Sequence, residues 1–152
     1  MVKFLRKERI EEYLANIDRQ LEDLNRINAT ELTKEFFLNK ENSILIKSIK
    51  YTLACAIQDV CRISLHISVT LGLIKVRESE SEAILALGDA GIISKEFAKK
   101  IKGMPSFRNK IIHDYLPNEF DAEKIYEVLQ SLDDFKKFCK YIQEWIEKEE
   151  VR

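Results

Sequence analysis

Glycine and proline are nearly missing from this chain, at four and two among 152 residues. So few breakers, beside abundant Leu, Ile, Lys and Glu, leave little room for the tight turns of a β-rich fold and point to an all-α domain. Cysteine is scarce and odd in number. Cys55, Cys61 and Cys139 include no Cys-x-x-Cys pair, which argues against a zinc ribbon or a disulfide framework and for buried free thiols in a reducing compartment. Excess charge is missing too. The formal net charge is −1, so no whole-molecule field gathers nucleic acid and any such binding needs a local patch. No apolar run is long enough to span a bilayer. The opening Met-Val-Lys-Phe-Leu-Arg-Lys-Glu lacks the apolar stretch of a secretion signal. A cytoplasmic location is the expectation.

What is present is helical periodicity. One domain over 1–152 is expected from the length. Ile10, Tyr13, Leu14, Ile17, Leu21 and Leu24 repeat at three and four, which predicts a helix from about Lys3 to Ile27. A second, from about Asn42 to Leu71, carries Ile46, Ile49, Leu53, Ile57, Val60, Ile63 and Ile67, with Ala54, Cys55, Ala56 and Ser64 widening the stripe. A helix apolar on more than one face is contacted from more than one side. Ser79 and Glu82 have capping-box spacing for a helix over about 80–90, with Gly91 as its stop. Ser94 caps a helix reaching Lys102. Pro105 then opens a segment that must end near Leu116, because Pro117 disfavours the α conformation of the residue before it. Asp121 caps a last helix to about Lys148. Residues 29–41 hold at most a short helical turn. With no strand alternation and no repeats, the economical architecture is an antiparallel bundle of four to five helices.

Chemistry has few places to sit. Residues 108–115 read Arg-Asn-Lys-Ile-Ile-His-Asp-Tyr and hold one of only two histidines. A guanidinium can clasp a phosphate and stabilise charge on a pentacoordinate phosphorus. An imidazole can move the proton. With RNA the 2′-hydroxyl supplies the nucleophile, so no metal or cofactor is called for. Asn109 and His113 are four apart and share a helix face, which lets Asn109 orient the imidazole or a ligand beside it. Arg108 and His113 are five apart, roughly 140° around an ideal helix. Either the helix is distorted at its end, or a second surface completes the site, as a two-fold dimer would. Tyr115 joins only if the helix has ended. Lys95, Lys99, Lys100, Lys102 and Lys110 form a basic cluster near Arg108, with Lys99, Lys102 and Lys110 as candidate RNA contacts. A solvated helix face is the bland alternative. Asp59 and His66, seven apart on the second helix, are candidates for supporting the site, against the simpler reading of a polar patch at a helix crossing. A metal shared by His66 and His113 has no third ligand.

An Arg–His pair at this spacing arises by chance in roughly one chain in six of this length, so its weight comes from its company. The stretch resembles the HEPN superfamily, and within it the HepT-like toxins of HEPN–MNT (type VII) toxin–antitoxin pairs. Their Arg-x4-His-x-Tyr motif is met by Arg108, His113 and Tyr115, with Asn109 as the polar residue after the Arg. Gly91-Ile92-Ile93, Phe97-Ala98 and the downstream Tyr126, Phe135 and Phe138 extend the likeness over nearly the whole chain. The resemblance implies a homodimer with a composite cleft and a metal-independent endoribonuclease using Arg108 and His113. It also implies a nucleotidyltransferase antitoxin as partner, and Tyr115 as the acceptor of AMP. The alternative is a non-catalytic module that binds nucleotide or RNA in the same cleft; a structural helical adaptor is a third.

Overall fold

The computed structural model describes residues 5–113 and 119–151, with the side chains of 119–121 and 151 outside that description. Among the described residues there are helices and no strands: α1 (Lys7–Arg26), α2 (Ser43–Thr70), α3 (Glu80–Asp89), α4 (Lys95–Ile101), α5 (Met104–His113), α6 (Glu119–Gln130) and α7 (Asp133–Val151). Three short 3₁₀ turns occupy 29–31, 35–38 and 40–42. They bury Ala29 and Phe37 and so tie the α1–α2 connection to the core.

The 28-residue α2 is the post on which the rest hangs. At 1.5 Å per residue it is about 42 Å long, and α1, α3, α5 and α7 all pack against it. This explains why its apolar residues spread beyond one stripe: Ile46, Ile49, Leu53, Ile57, Val60, Ile63 and Ile67 are all buried, as are the small Ala54, Ala56, Cys61 and Ser64 between them. Each large side chain so buried contributes roughly 1.5–3 kcal/mol. Buried hydroxyls are satisfied locally. Ser64 Oγ donates to the Val60 carbonyl at 2.8 Å, and Ser68 Oγ crosses to the Ala83 carbonyl at 2.9 Å, stitching α2 to α3. Cys61 and Cys139 are buried free thiols, and Cys55 is half-buried.

The short helices are set by their ends. Ser79 Oγ accepts from the Glu82 N–H (3.1 Å) and Ser94 Oγ from the Phe97 N–H (3.1 Å), each satisfying an orphan donor of a first turn. α3 stops where Gly91 takes a left-handed φ of 76°. Its N–H reaches the Gly88 carbonyl and the Ile92 N–H the Leu87 carbonyl, a Schellman closure. Ser81 Oγ then donates to the Lys102 carbonyl at 2.7 Å, joining the start of α3 to the end of α4. Pro105 falls in the first turn of α5, where no intrahelical N–H bond is lost.

Two expectations need correction. The last helix is not continuous from Asp121 to Lys148: the chain turns at Ser131 and Leu132 between α6 and α7. Leu132 in the turn and Phe135 beyond it are both buried, so the three-and-four spacing runs straight through the break and conceals it. Asp121 is not a cap, because α6 already begins at Glu119. Among the described residues there are seven α-helices rather than four to five: α4 and α5 are separate, as Ser94 and Pro105 led one to expect, and the break in the last helix adds one more. The expected end of the motif segment near Leu116 lies outside the described residues.

Gly88 marks a close helix approach. A Cβ built there would lie 2.7 Å from Ala98 Cβ and 3.3 Å from Lys95 Cα, so α3 and α4 touch only because the side chain is absent. Gly88→Ala should therefore destabilise the fold by about 1–3 kcal/mol despite alanine's better helix propensity. Thermal denaturation checks this, and a variant as stable as the parent contradicts the close approach.

Candidate functional site

Arg108 is inside the protein. It is 8% exposed, on the face of α5 that also buries Pro105 and Ile111. A guanidinium cannot be neutralised there, so it needs an anion and a full set of acceptors. Glu80, the first residue of α3, supplies the anion through a two-pronged ion pair: Nη1 donates to Oε2 at 2.9 Å and Nη2 to Oε1 at 2.6 Å. Gln58 Oε1 on α2 accepts from Nη1 at 3.0 Å. Asn109 Oδ1 accepts from Nε at 3.2 Å and from Nη2 at 3.0 Å. These five contacts match the five N–H donors of the guanidinium nitrogen by nitrogen. Residues from three helices thus converge on one side chain.

The electrostatics follow. Hydrogen bonding to Arg108 is the main reason the Glu80 carboxyl is held below its ordinary range, against a smaller opposing effect of burial. The same bond from Glu80 raises Arg108 further. Cys61 lies against this pair, and burial, reinforced by the Glu80 charge, pushes its thiol up to about 12. At neutral pH it is an uncharged neighbour of the pair.

The other predicted residues distribute unevenly. His113 is exposed and is the last residue of α5. Its position, roughly 140° round from Arg108 on a helical wheel, directs it away from the face that Arg108 buries. Asn109 turns its carbonyl oxygen to Arg108. Tyr115 lies outside the described residues. Asp59 and His66 face α1. Asp59 accepts from Arg62 Nη1 at 3.3 Å, and burial raises its carboxyl against the pull of Arg62. His66 Nε2 accepts the backbone N–H of Arg6 at 3.0 Å, and burial, then Arg9 and Arg6, lower its pKa. Neither shares a contact with Arg108. Lys99, Lys102 and Lys110 are exposed. Lys100 pairs with Asp134 at 2.9 Å, and Arg108 does not belong to the basic surface at all. Among the described residues no three His, Cys, Asp or Glu side chains gather as a metal site, and no helix is long and apolar enough to cross a membrane. A cleft of about 360 Å³ between α4–α5 and α6–α7 is lined by Met104, Phe107, Val128 and Phe135, with neither Arg108 nor His113 in its wall.

Glu80 and Gln58 were not foreseen. Glu80 sits 28 residues before Arg108 and is an ordinary acid for a helix first turn. Gln58 stands next to Asp59, but neighbouring helix positions differ by about 100°, so one faces α5 and the other α1. A glutamine within the long apolar run of α2 was the only available signal.

Comparison with known proteins places the chain in a family. The ribonuclease HepT-like family model matches residues 8–142. The chain belongs to the HepT-like ribonuclease family. Solved structures agree on the fold. One toxin–antitoxin structure with AMP-PNP is 23% identical, superposes with a TM-score of 0.74, and is matched over 90% of this chain and 98% of that one. The tri-AMPylated Shewanella oneidensis HEPN toxin in complex with its MNT antitoxin is 24% identical, with a TM-score of 0.73 over 91% of this chain and 98% of the other. No curated protein matches the chain.

The ion pair makes a stability prediction. Glu80 has a folded pKa below its unfolded one, so its contribution is present above the unfolded value and is lost as pH falls through the folded value. Arg108→Ala should cost about 2–3 kcal/mol at neutral pH, below the roughly 3–5 expected of a fully buried pair because Glu80 keeps some solvent. Melting curves of parent and variant, taken from neutral pH into acid, should converge as Glu80 protonates. A gap that stays constant contradicts the pairing.

Proposed function

We propose that this protein is a metal-independent endoribonuclease toxin whose catalytic residues are Arg108 and His113, contributed to one site by two copies of the chain. The observation that carries this is the arrangement of α5 inside a chain of the HepT-like ribonuclease family. A permanently charged Arg108 is anchored in the core, and His113 stands exposed at the end of the same helix, on a different face. One helix offers the two groups in different directions, so a second α5 related by a two-fold axis is the simple way to bring an Arg and a His to one phosphate.

The chemistry balances without a cofactor. One His113 takes the proton of the RNA 2′-hydroxyl as its oxygen attacks phosphorus. The P–O5′ bond breaks, and the leaving 5′-oxygen receives a proton from the same imidazole, now protonated. The products are a 2′,3′-cyclic phosphate and a 5′-hydroxyl. Arg108 stabilises the extra negative charge on the pentacoordinate phosphorus. Asn109 holds the guanidinium, and Lys99, Lys102 and Lys110 contact flanking phosphates. The protein works in the cytoplasm, with an MNT-type nucleotidyltransferase as its antitoxin. Tyr115, two residues past His113, accepts AMP from that enzyme, and the anionic adduct blocks RNA. Solved neighbours containing AMP-PNP or a tri-AMPylated toxin support this reading.

A second reading, a module that binds nucleotide or RNA without cutting it, gains support from the fully engaged Arg108 donors. One experiment separates the two. Purified protein should cleave single-stranded RNA in EDTA, and Arg108→Ala and His113→Ala should each lower the rate by about 10²–10⁴-fold. Equal cleavage by all three proteins contradicts the ribonuclease reading, and tight RNA binding without cleavage selects the module. Incubation with the partner enzyme and ATP should add an adenylyl mass to the parent and none to Tyr115→Phe. Modification that persists in Tyr115→Phe moves the acceptor elsewhere.

A further inference from the structure

If Arg108 acts on a phosphate, it has no hand free to do so. Every N–H of its guanidinium is already directed at Glu80, Gln58 or Asn109. For an RNA phosphate to be clasped, one acceptor has to leave, and the three are not equivalent. Gln58 and Asn109 are neutral. Displacing either would leave Glu80 and a phosphate, two anions, sharing one guanidinium. Glu80 alone can be exchanged anion for anion, and a carboxylate and a phosphate use the same two-pronged geometry on Arg. Glu80 also has a route out: its side chain is 26% exposed against 9% for Arg108, and it stands at the first residue of α3.

The geometry points to Glu80 as a built-in competitor for the RNA phosphate: its carboxylate occupies the Arg108 fork in the resting protein and is displaced when RNA binds. This rests on the reading of Arg108 as the phosphate-binding group, and it names the residue that sets RNA affinity at that site. The lowered Glu80 pKa agrees with a carboxylate that stays ionised, and so stays a competitor, at neutral pH. Cys61 beneath it is a neutral thiol and does not compete.

The direction of the effect separates this role from a merely structural one. A residue that only supports Arg108 loses function when altered, whereas a competitor gains affinity. The test measures binding of a fluorescent single-stranded RNA carrying 2′-O-methyl on every sugar, which has no nucleophile and cannot be cut. Glu80→Gln should bind it more tightly than the parent, on the order of threefold to tenfold, as a charged hydrogen-bond partner is replaced by a neutral one. Glu82→Gln makes the same charge change at an exposed position two residues on and should leave affinity near the parent's. The gain from Glu80→Gln should vanish in an Arg108→Ala background. If Glu80→Gln does not fold, Glu80→Asp, whose shorter side chain spoils the two-pronged fit, should show a smaller gain of the same sign. Unchanged or weaker binding overturns the proposal, as does an equal gain from Glu82→Gln or a gain that survives loss of Arg108. Arg108-dependent cleavage without tighter binding by Glu80→Gln sinks the competitor alone. Tighter, Arg108-dependent binding with no cleavage by any variant sinks only the ribonuclease reading.

Discussion

The ion pair between Arg108 and Glu80 is the constraint on which the arrangement of this protein depends. A guanidinium 8% exposed must bring its counterion with it. Here the counterion comes from α3 and the remaining acceptors from α2 and α5. The pair therefore fixes three helices relative to one another and decides which way α5 is rotated. Once Arg108, Pro105 and Ile111 face inward, helical geometry leaves His113 facing out. The five-residue spacing sets the angle between the two motif residues, and the clamp decides which of them faces inward.

Around that clamp the packing is close and ordinary. α2 is buried on several sides because four helices lean on it, and small residues where neighbours come nearest let backbones approach. Gly88 against Ala98 is one such place. Since α3 carries both Gly88 and Glu80, the α3–α4 contact and the charge on Arg108 are mechanically linked: loosening one helix pair alters the anion that holds the guanidinium.

Much of this was legible in the sequence, for a physical reason. α1, α2 and α3 fall within a few residues of their expected limits, because apolar spacing and capping residues act locally. The caps at Ser79 and Ser94 needed no tertiary information. The turn at Ser131 escaped because the buried stripe runs through it unbroken. The partners of Arg108 escaped for the opposite reason. Gln58 and Glu80 lie 50 and 28 positions away, and nothing local distinguishes a glutamate that will hold an arginine from one that merely suits a helix start. Asp59 and His66 attracted notice as polar residues in an apolar helix, yet their contacts are made with α1 and with Arg62. The motif singled out Arg108, and packing supplied its counterion.

The central claim is that Arg108 and His113 act together only across two chains. Complementation tests it directly. Arg108→Ala and His113→Ala chains, each inactive as a homodimer, would be co-expressed with different tags and the mixed dimer purified through both. If the site takes its Arg from one chain and its His from the other, the mixed dimer contains one intact site and regains RNA cleavage, at up to about half the parent rate for one of two equivalent sites. A mixed dimer no more active than either parent variant would contradict the composite site, because that is the result expected when both residues must come from the same chain.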